Sequence, residues 1–278
     1  MPAGHAKRTI LTRMFTAFAY ALAGGMQIIL VVAPISKMAW RFLRLVCQLA
    51  FAAATVVLVW SFREAGWGLE PLSDWPVRLG VMCDLATATT SVVARWSARQ
   101  ATVFRGLCLL GGSSGIAAAC ILGLQSAVER GAAPLLIVAG QILGSLLMGS
   151  ITVSWLLGHA YLTATKMTIA PLRHMSRTLM VCAGMRVLFL PCSVLAVWWS
   201  GNLVGSEILR LAGNHWLILS IRVAVGLVAV SVFAYMVNDC VKRRSTQSAT
   251  GILYFGSVFA YIGELASLDL LRETGWPT

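Results

Sequence analysis

Eight stretches of the chain are apolar for long enough to cross a bilayer, and together they take up most of its 278 residues. They run at about 14–34, 42–60, 79–94, 106–124, 134–162, 179–199, 215–237 and 249–271. Roughly twenty apolar residues wound as a helix match the ~30 Å hydrocarbon core. Inside that core every backbone N–H and C=O needs a partner within the chain, so only helices or a closed barrel can span it. Barrel strands would be about ten residues of alternating polarity, and these runs are longer and do not alternate. The fold expected is an all-α membrane protein, a bundle of about eight transmembrane helices. Residues 1–278 form one domain, with no soluble domain. Hydrophobic residues at 58%, charged residues at 12% and a mean hydropathy of +0.80 exclude a water-soluble globule of this size.

The net charge of +12 resembles a nucleic-acid signature until the positions are read. Most Lys and Arg sit in short loops, where they orient helices and meet anionic lipid headgroups, so nucleic acid is not the expected partner. Loops one, three, five and seven each hold three basic residues: Lys37, Arg41 and Arg44; Arg95, Arg99 and Arg105; Lys166, Arg173 and Arg177; Lys242, Arg243 and Arg244. The second loop holds two, beside Glu64, Glu70 and Asp74, and the fourth, the sixth and the tail hold one each. Odd-numbered loops are therefore expected in the cytoplasm and the C-terminus outside. The same topology puts Lys7, Arg8 and Arg13 on the outer side. Either that short tail is translocated ahead of an uncleaved first span, or the first segment re-enters with Gly24-Gly25 as its break. Trp60, Trp67, Trp75, Trp198, Trp199, Trp216 and Trp276 mark outer span ends, and Trp40, Trp96 and Trp155 inner ones.

Four charged residues lie well inside spans, away from their ends: Asp84, Arg186, Arg222 and Glu264. A charge near mid-membrane costs about 2.5–3.5 kcal/mol on insertion scales, so each should face the bundle interior. Counted from the inner ends, Arg222 is roughly 24 Å up its helix and Glu264 roughly 22 Å up the next. Two consecutive antiparallel helices thus bring opposite charges to one level, with Asp84 in the outer half as well. This group reads as a structural ion pair or as a site for a polar or anionic ligand. Arg186, five residues before Pro191, would serve a bent segment or a cofactor carboxylate or quinone oxygen. The third span, carrying Asp84 among Thr87, Thr89, Thr90 and Ser91, should face protein or water.

His159 closes the fifth span and His215 opens the seventh from the opposite face, too far apart in depth to hold one haem between them. His174 falls in a cytoplasmic loop. A haem or quinone site would rest on His159 and Arg186. The seven cysteines are odd in number and form no C-x-x-C pair, so they read as packing residues, and no metal is expected. Gly111-x-x-x-Gly115, Gly140-x-x-x-Gly144 and Ser145-x-x-x-Gly149 give spans four and five small-residue faces that let backbones approach. Those spans should be central or meet a partner subunit. No phosphate loop, nucleophile elbow or zinc-protease motif is present, so catalysis has no visible residues.

Gly158-His159-Ala160-Tyr161-Leu162, and Gln247-Ser248-Ala249-Thr250-Gly251-Ile252-Leu253-Tyr254 with Gly263-Glu264 beyond it, resemble uncharacterised bacterial multi-pass inner-membrane proteins. The resemblance covers mainly the C-terminal half. It implies a bacterial inner-membrane address and draws attention to His159, Arg222 and Glu264, without implying an activity. Three functions follow as expectations. The first is a non-catalytic subunit or scaffold of a larger inner-membrane assembly, of a redox or respiratory kind, packed against other membrane subunits. The others are a small secondary transporter with a polar site in the outer half, and a haem- or quinone-binding redox protein.

Overall fold

In the computed structural model the described residues, 3–65, 73–96, 100–127, 133–163, 168–199 and 213–276, form a bundle of eight helices. They are α1 (Ala3–Val32), α2 (Trp40–Ala65), α3 (Trp75–Val93), α4 (Ala101–Ala127), α5 (Pro134–Thr163), α6 (Ala170–Trp199), α7 (Trp216–Lys242) and α8 (Thr246–Thr274). Seven are long and apolar enough to cross a membrane, and α3 is the eighth. Its length is near 28 Å at about 1.5 Å per residue, close to the hydrocarbon thickness. Trp67, Glu70, Arg99, Lys166 and the basic residues of loops four and six lie outside the described residues.

Successive helices alternate in direction, as four contacts at one end of the bundle show. Arg105 Nη2 of α4 donates to Ala33 O at 3.3 Å, and His174 Nε2 of α6 lies 3.1 Å from Val32 O. Ser176 Oγ donates to Asn238 Oδ1 of α7 at 3.4 Å, and Tyr254 OH of α8 lies 3.0 Å from His159 Nδ1 of α5. Thus the ends of α1, α5 and α7 meet the starts of α4, α6 and α8. Gln27 Nε2, donating to Thr90 Oγ1 at 3.3 Å, places the end of α3 toward the same face. Trp276 Nε1, donating to Ser193 Oγ at 3.4 Å, joins the ends of α8 and α6 at the opposite face.

Helices run past the expected boundaries because polar and basic residues at their ends still satisfy the i→i+4 ladder. Two starts move furthest: α1 begins at Ala3 rather than 14, and α6 at Ala170 rather than 179. Pro171 fits a first helical turn, where its missing N–H costs nothing. His174 and Arg105 are therefore helical rather than loop residues, and each reaches the C-terminal carbonyls of α1, which have no partner in their own helix.

The core is built on α1, α4 and α5. Of the apolar window of α5, 67% is buried, against 28% for α7. On one side of this centre lie α2 and α3, and on the other α6, α7 and α8. The first helix is unbroken: Gly24-Gly25 is a crossing point rather than a hinge. A Cβ at Gly25 would lie 1.9 Å from Ser145 O, one at Gly149 2.2 Å from Gly25 C, and one at Gly24 2.8 Å from Gly112 O. Glycine here admits the backbones of α4 and α5 against α1, close packing that stands in for the missing hydrophobic drive in lipid. A Cβ at Gly115 would lie 3.0 Å from Tyr20 O and 3.1 Å from Gly24 Cα, and one at Gly111 3.0 Å from Ala86 Cβ of α3. The small-residue faces are thus spent within the chain.

Helix α3 corrects one expectation. Thr87, Thr89, Thr90 and Ser91 each donate their hydroxyl to a carbonyl three or four residues earlier in their own helix. With its hydroxyls satisfied locally, α3 needs neither water nor protein on every side. Met82, Leu85, Thr89 and Val92 accordingly point outward.

Between α7 and α8, Arg244 adopts a positive φ of 61°. A side chain resists that conformation where glycine does not, so Arg244→Gly is expected to stabilise the turn by up to about 1 kcal/mol. Equilibrium unfolding in mixed micelles reads this; a loss of stability would show that the arginine side chain holds the turn. Ser245 stands at the N-cap of α8, but its hydroxyl donates to Ser248 Oγ at 2.9 Å rather than accepting from the backbone.

Candidate functional site

The buried charges converge on Glu264. Arg186 Nε donates to Glu264 Oε1 at 3.1 Å and Arg186 Nη2 to Oε2 at 2.8 Å, a two-pronged contact that suits the planar guanidinium. Arg222 Nη1 donates to Oε1 at 3.0 Å from the other side. Arg186 Nη2 also donates to Ser267 Oγ at 3.1 Å, one helical turn beyond Glu264. The three charged residues are 2%, 0% and 4% exposed for Arg186, Arg222 and Glu264, so the cluster is sealed from bulk solvent. Burial removes screening, and these charge-assisted bonds are correspondingly strong.

Glycines make the cluster possible. A Cβ at Gly263 would lie 2.2 Å from Gly226 Cα, so the backbones of α7 and α8 touch beside Glu264. Gly226 stands one turn after Arg222, and that contact sets the guanidinium against the carboxylate. On α5, a Cβ at Gly144 would lie 2.5 Å from Glu264 Oε2. The absent side chain is the room the carboxylate occupies. Around Arg222, from Ile221 to Ala229, α7 is π-helical. The wider turn shifts the side chains that follow, and such segments recur at functional sites.

Beside the cluster lies a cavity lined by Ile137, Gly140 and Gln141 of α5, Arg186 of α6, and Glu264, Ser267, Leu268 and Leu271 of α8. Its volume open to the centre of a water-sized body is about 10 Å³, room for about one water molecule. Leu271 lies near the end of α8 and Ile137 near the start of α5, so the cavity extends from Glu264 toward the face away from Arg105 and His174. Arg186 Nη1 is buried without a hydrogen-bond partner.

Three expectations need correction. Asp84 does not join Arg222 and Glu264, because α3 packs against α2, α4 and α1, away from α7 and α8. Its half-buried carboxylate accepts from Thr55 Oγ1 of α2 at 2.7 Å. Asp84→Asn keeps an acceptor oxygen there and is expected to cost less than about 1 kcal/mol in equilibrium unfolding; a loss of several would reveal a second essential charge. Arg186 belongs to Glu264 rather than to a bend at Pro191, and α6 continues through that proline. His159 and Arg186 do not form one site. Gly144 beside Arg186 and His159 are fifteen residues apart on α5, roughly 22 Å along the axis. His159 instead faces Tyr254, edge-on with ring centroids 6.4 Å apart, and Trp155 stacks obliquely on the same tyrosine at 5.2 Å.

Of the packing glycines, Gly144 borders the cluster, Gly140 borders the cavity, and Gly111, Gly115 and Gly149 face neighbouring helices. Sequence reasoning missed Gln141, Ser267 and Gly226. A small residue one turn from a buried charge was the available signal for Gly226. Compared with known proteins, the chain matches no family model and no curated relative.

Proposed function

We propose that the protein is a small secondary transporter or permease of the bacterial cytoplasmic membrane, with the Arg186–Glu264–Arg222 cluster as its solute site. One observation carries this reading: Arg186 and Glu264 border a cavity reaching toward one face, and Arg186 Nη1 is buried there without a hydrogen-bond partner. A purely structural pair in lipid needs one arginine and one carboxylate with every polar atom matched. Ionisable groups within a membrane span mark solute or ion pathways by default. The π-helical turns of α7 and the touching glycines of α7 and α8 are local irregularities of the kind on which a helix pair rearranges.

The basic face, with its short loops, lies in the cytoplasm on this reading, so the cavity side and the C-terminus face outward. The subunit reading draws less support. The glycines that suggested a partner face other helices of the chain or the cavity. Reconstituting the chain into liposomes and measuring solute flux tests the proposal. Flux above protein-free vesicles is expected, and its absence across small inorganic and organic anions and neutral polar solutes would overturn it.

A further inference from the structure

We infer that the cavity between α5, α6 and α8 is a binding site for a small monovalent anion of halide size, held by Arg186 Nη1. The inference rests on the solute-site reading for its biological meaning, but on its own observations for the binding. Arg186 is 2% exposed, lines the cavity, and its Nη1 has no hydrogen-bond partner. A buried guanidinium N–H left unmatched is costly, and an acceptor placed in the adjoining space removes that cost.

The lining selects the sign of the ligand. Gln141 brings an amide and Arg186 a guanidinium, both able to donate. The one carboxylate is Glu264, and both its oxygens already accept from arginine: Oε1 from Arg186 and Arg222, Oε2 from Arg186. Its charge is thereby turned toward the cluster. A cation would find no free carboxylate, whereas an anion meets a charged donor in a low-dielectric setting where that contact is strong.

Size narrows the class. Room for about one water molecule admits chloride or bromide and excludes phosphate, sulfate and carboxylic acids larger than formate. Gly140 stands on the wall, and Ile137, Leu268 and Leu271 make the rest of the lining apolar. Such a surround favours a weakly hydrated halide over a strongly hydrated anion.

The test is the thermal unfolding of the purified full chain in detergent, with chloride exchanged for gluconate at constant ionic strength. A midpoint that rises with chloride concentration and saturates is expected, as for any ligand bound only by the folded state. Bromide should act likewise and give an anomalous diffraction peak within hydrogen-bond distance of Arg186 Nη1. Gly140→Ala, which narrows the cavity and leaves all three charged residues in place, should fold and lose the chloride response. Arg186→Gln should lose it too, but unfolding of that variant is uninformative beside the glycine variant. A midpoint indifferent to chloride, or a water molecule without anomalous signal at that position, overturns the inference. Halide binding without any flux removes the transport proposal and leaves this site standing. Flux of a larger solute, indifferent to halide, does the reverse.

Discussion

Glu264→Ala is expected to lower the free energy of unfolding by about 3–5 kcal/mol, because it leaves two buried guanidinium groups without their shared counter-charge. Arg186 loses both prongs of its contact and Arg222 loses its bond to Oε1. Nothing else among the cavity-lining side chains carries a negative charge. The loss should be read by far-UV circular dichroism as a denaturing detergent is titrated into mixed micelles. Helical signal at the end of the titration matters less than the midpoint, since unfolded membrane chains keep much of their helix. A shift worth less than about 1 kcal/mol would mean that the arginines find other acceptors and that Glu264 does not organise the cluster.

Gly149→Val is expected to prevent the native bundle from forming, and Gly149→Ala to cost about 1–3 kcal/mol or more. A Cβ there meets Gly25 C at 2.2 Å and Gly25 O at 2.3 Å, which are backbone atoms and cannot rotate away. The whole of α5 must withdraw from α1, and the contacts along that crossing go with it. Gly25→Ala should behave alike, its Cβ falling 1.9 Å from Ser145 O. Gly184→Ala and Gly251→Ala are the matched controls, since a Cβ at either meets nothing within 4 Å. There the change should be neutral or stabilising by about 0.5–1 kcal/mol, the usual helix advantage of alanine over glycine. Size-exclusion profiles of the four alanine variants report folding, and equal behaviour of all four would remove the crossing from the account.

The bundle was legible because lipid leaves the backbone so few choices. Long apolar runs give helices whatever their neighbours do. Helix ends were less legible: His174 and Arg105 read as loop residues from their charge, yet each contacts a carbonyl of α1 that no local pattern announces. Depth along consecutive helices located Arg222 and Glu264 on one level, since an antiparallel hairpin fixes the register. It misled for Asp84, because depth alone does not say which helices are neighbours around the bundle. Arg186 was visible as a buried charge but not as a partner of Glu264, a contact spanning 78 residues. The π-helical turns have no composition signature and were invisible.

The glycines show the same division. Spacing of four marked Gly140, Gly144 and Gly149 as a close-packing face, and all three do lie on the inner side of α5. What each faces was not readable: Gly149 a backbone, Gly144 a carboxylate, Gly140 a cavity. Small residues announce close approach without naming what approaches.

The central claim is that the buried charges serve a solute rather than the fold, and it is tested most directly by replacing all three together. In the variant Arg186→Met, Arg222→Met, Glu264→Leu, no ionised group remains unmatched, and apolar side chains of similar volume fill the space. Buried ion clusters exchanged in this way commonly leave stability unchanged or raised. Unfolding midpoint and liposome flux, measured on one preparation of this variant, should show a bundle as stable as the parent and no flux above empty vesicles. A variant that unfolds several kcal/mol more easily, or one that still carries solute at the parental rate, contradicts the account.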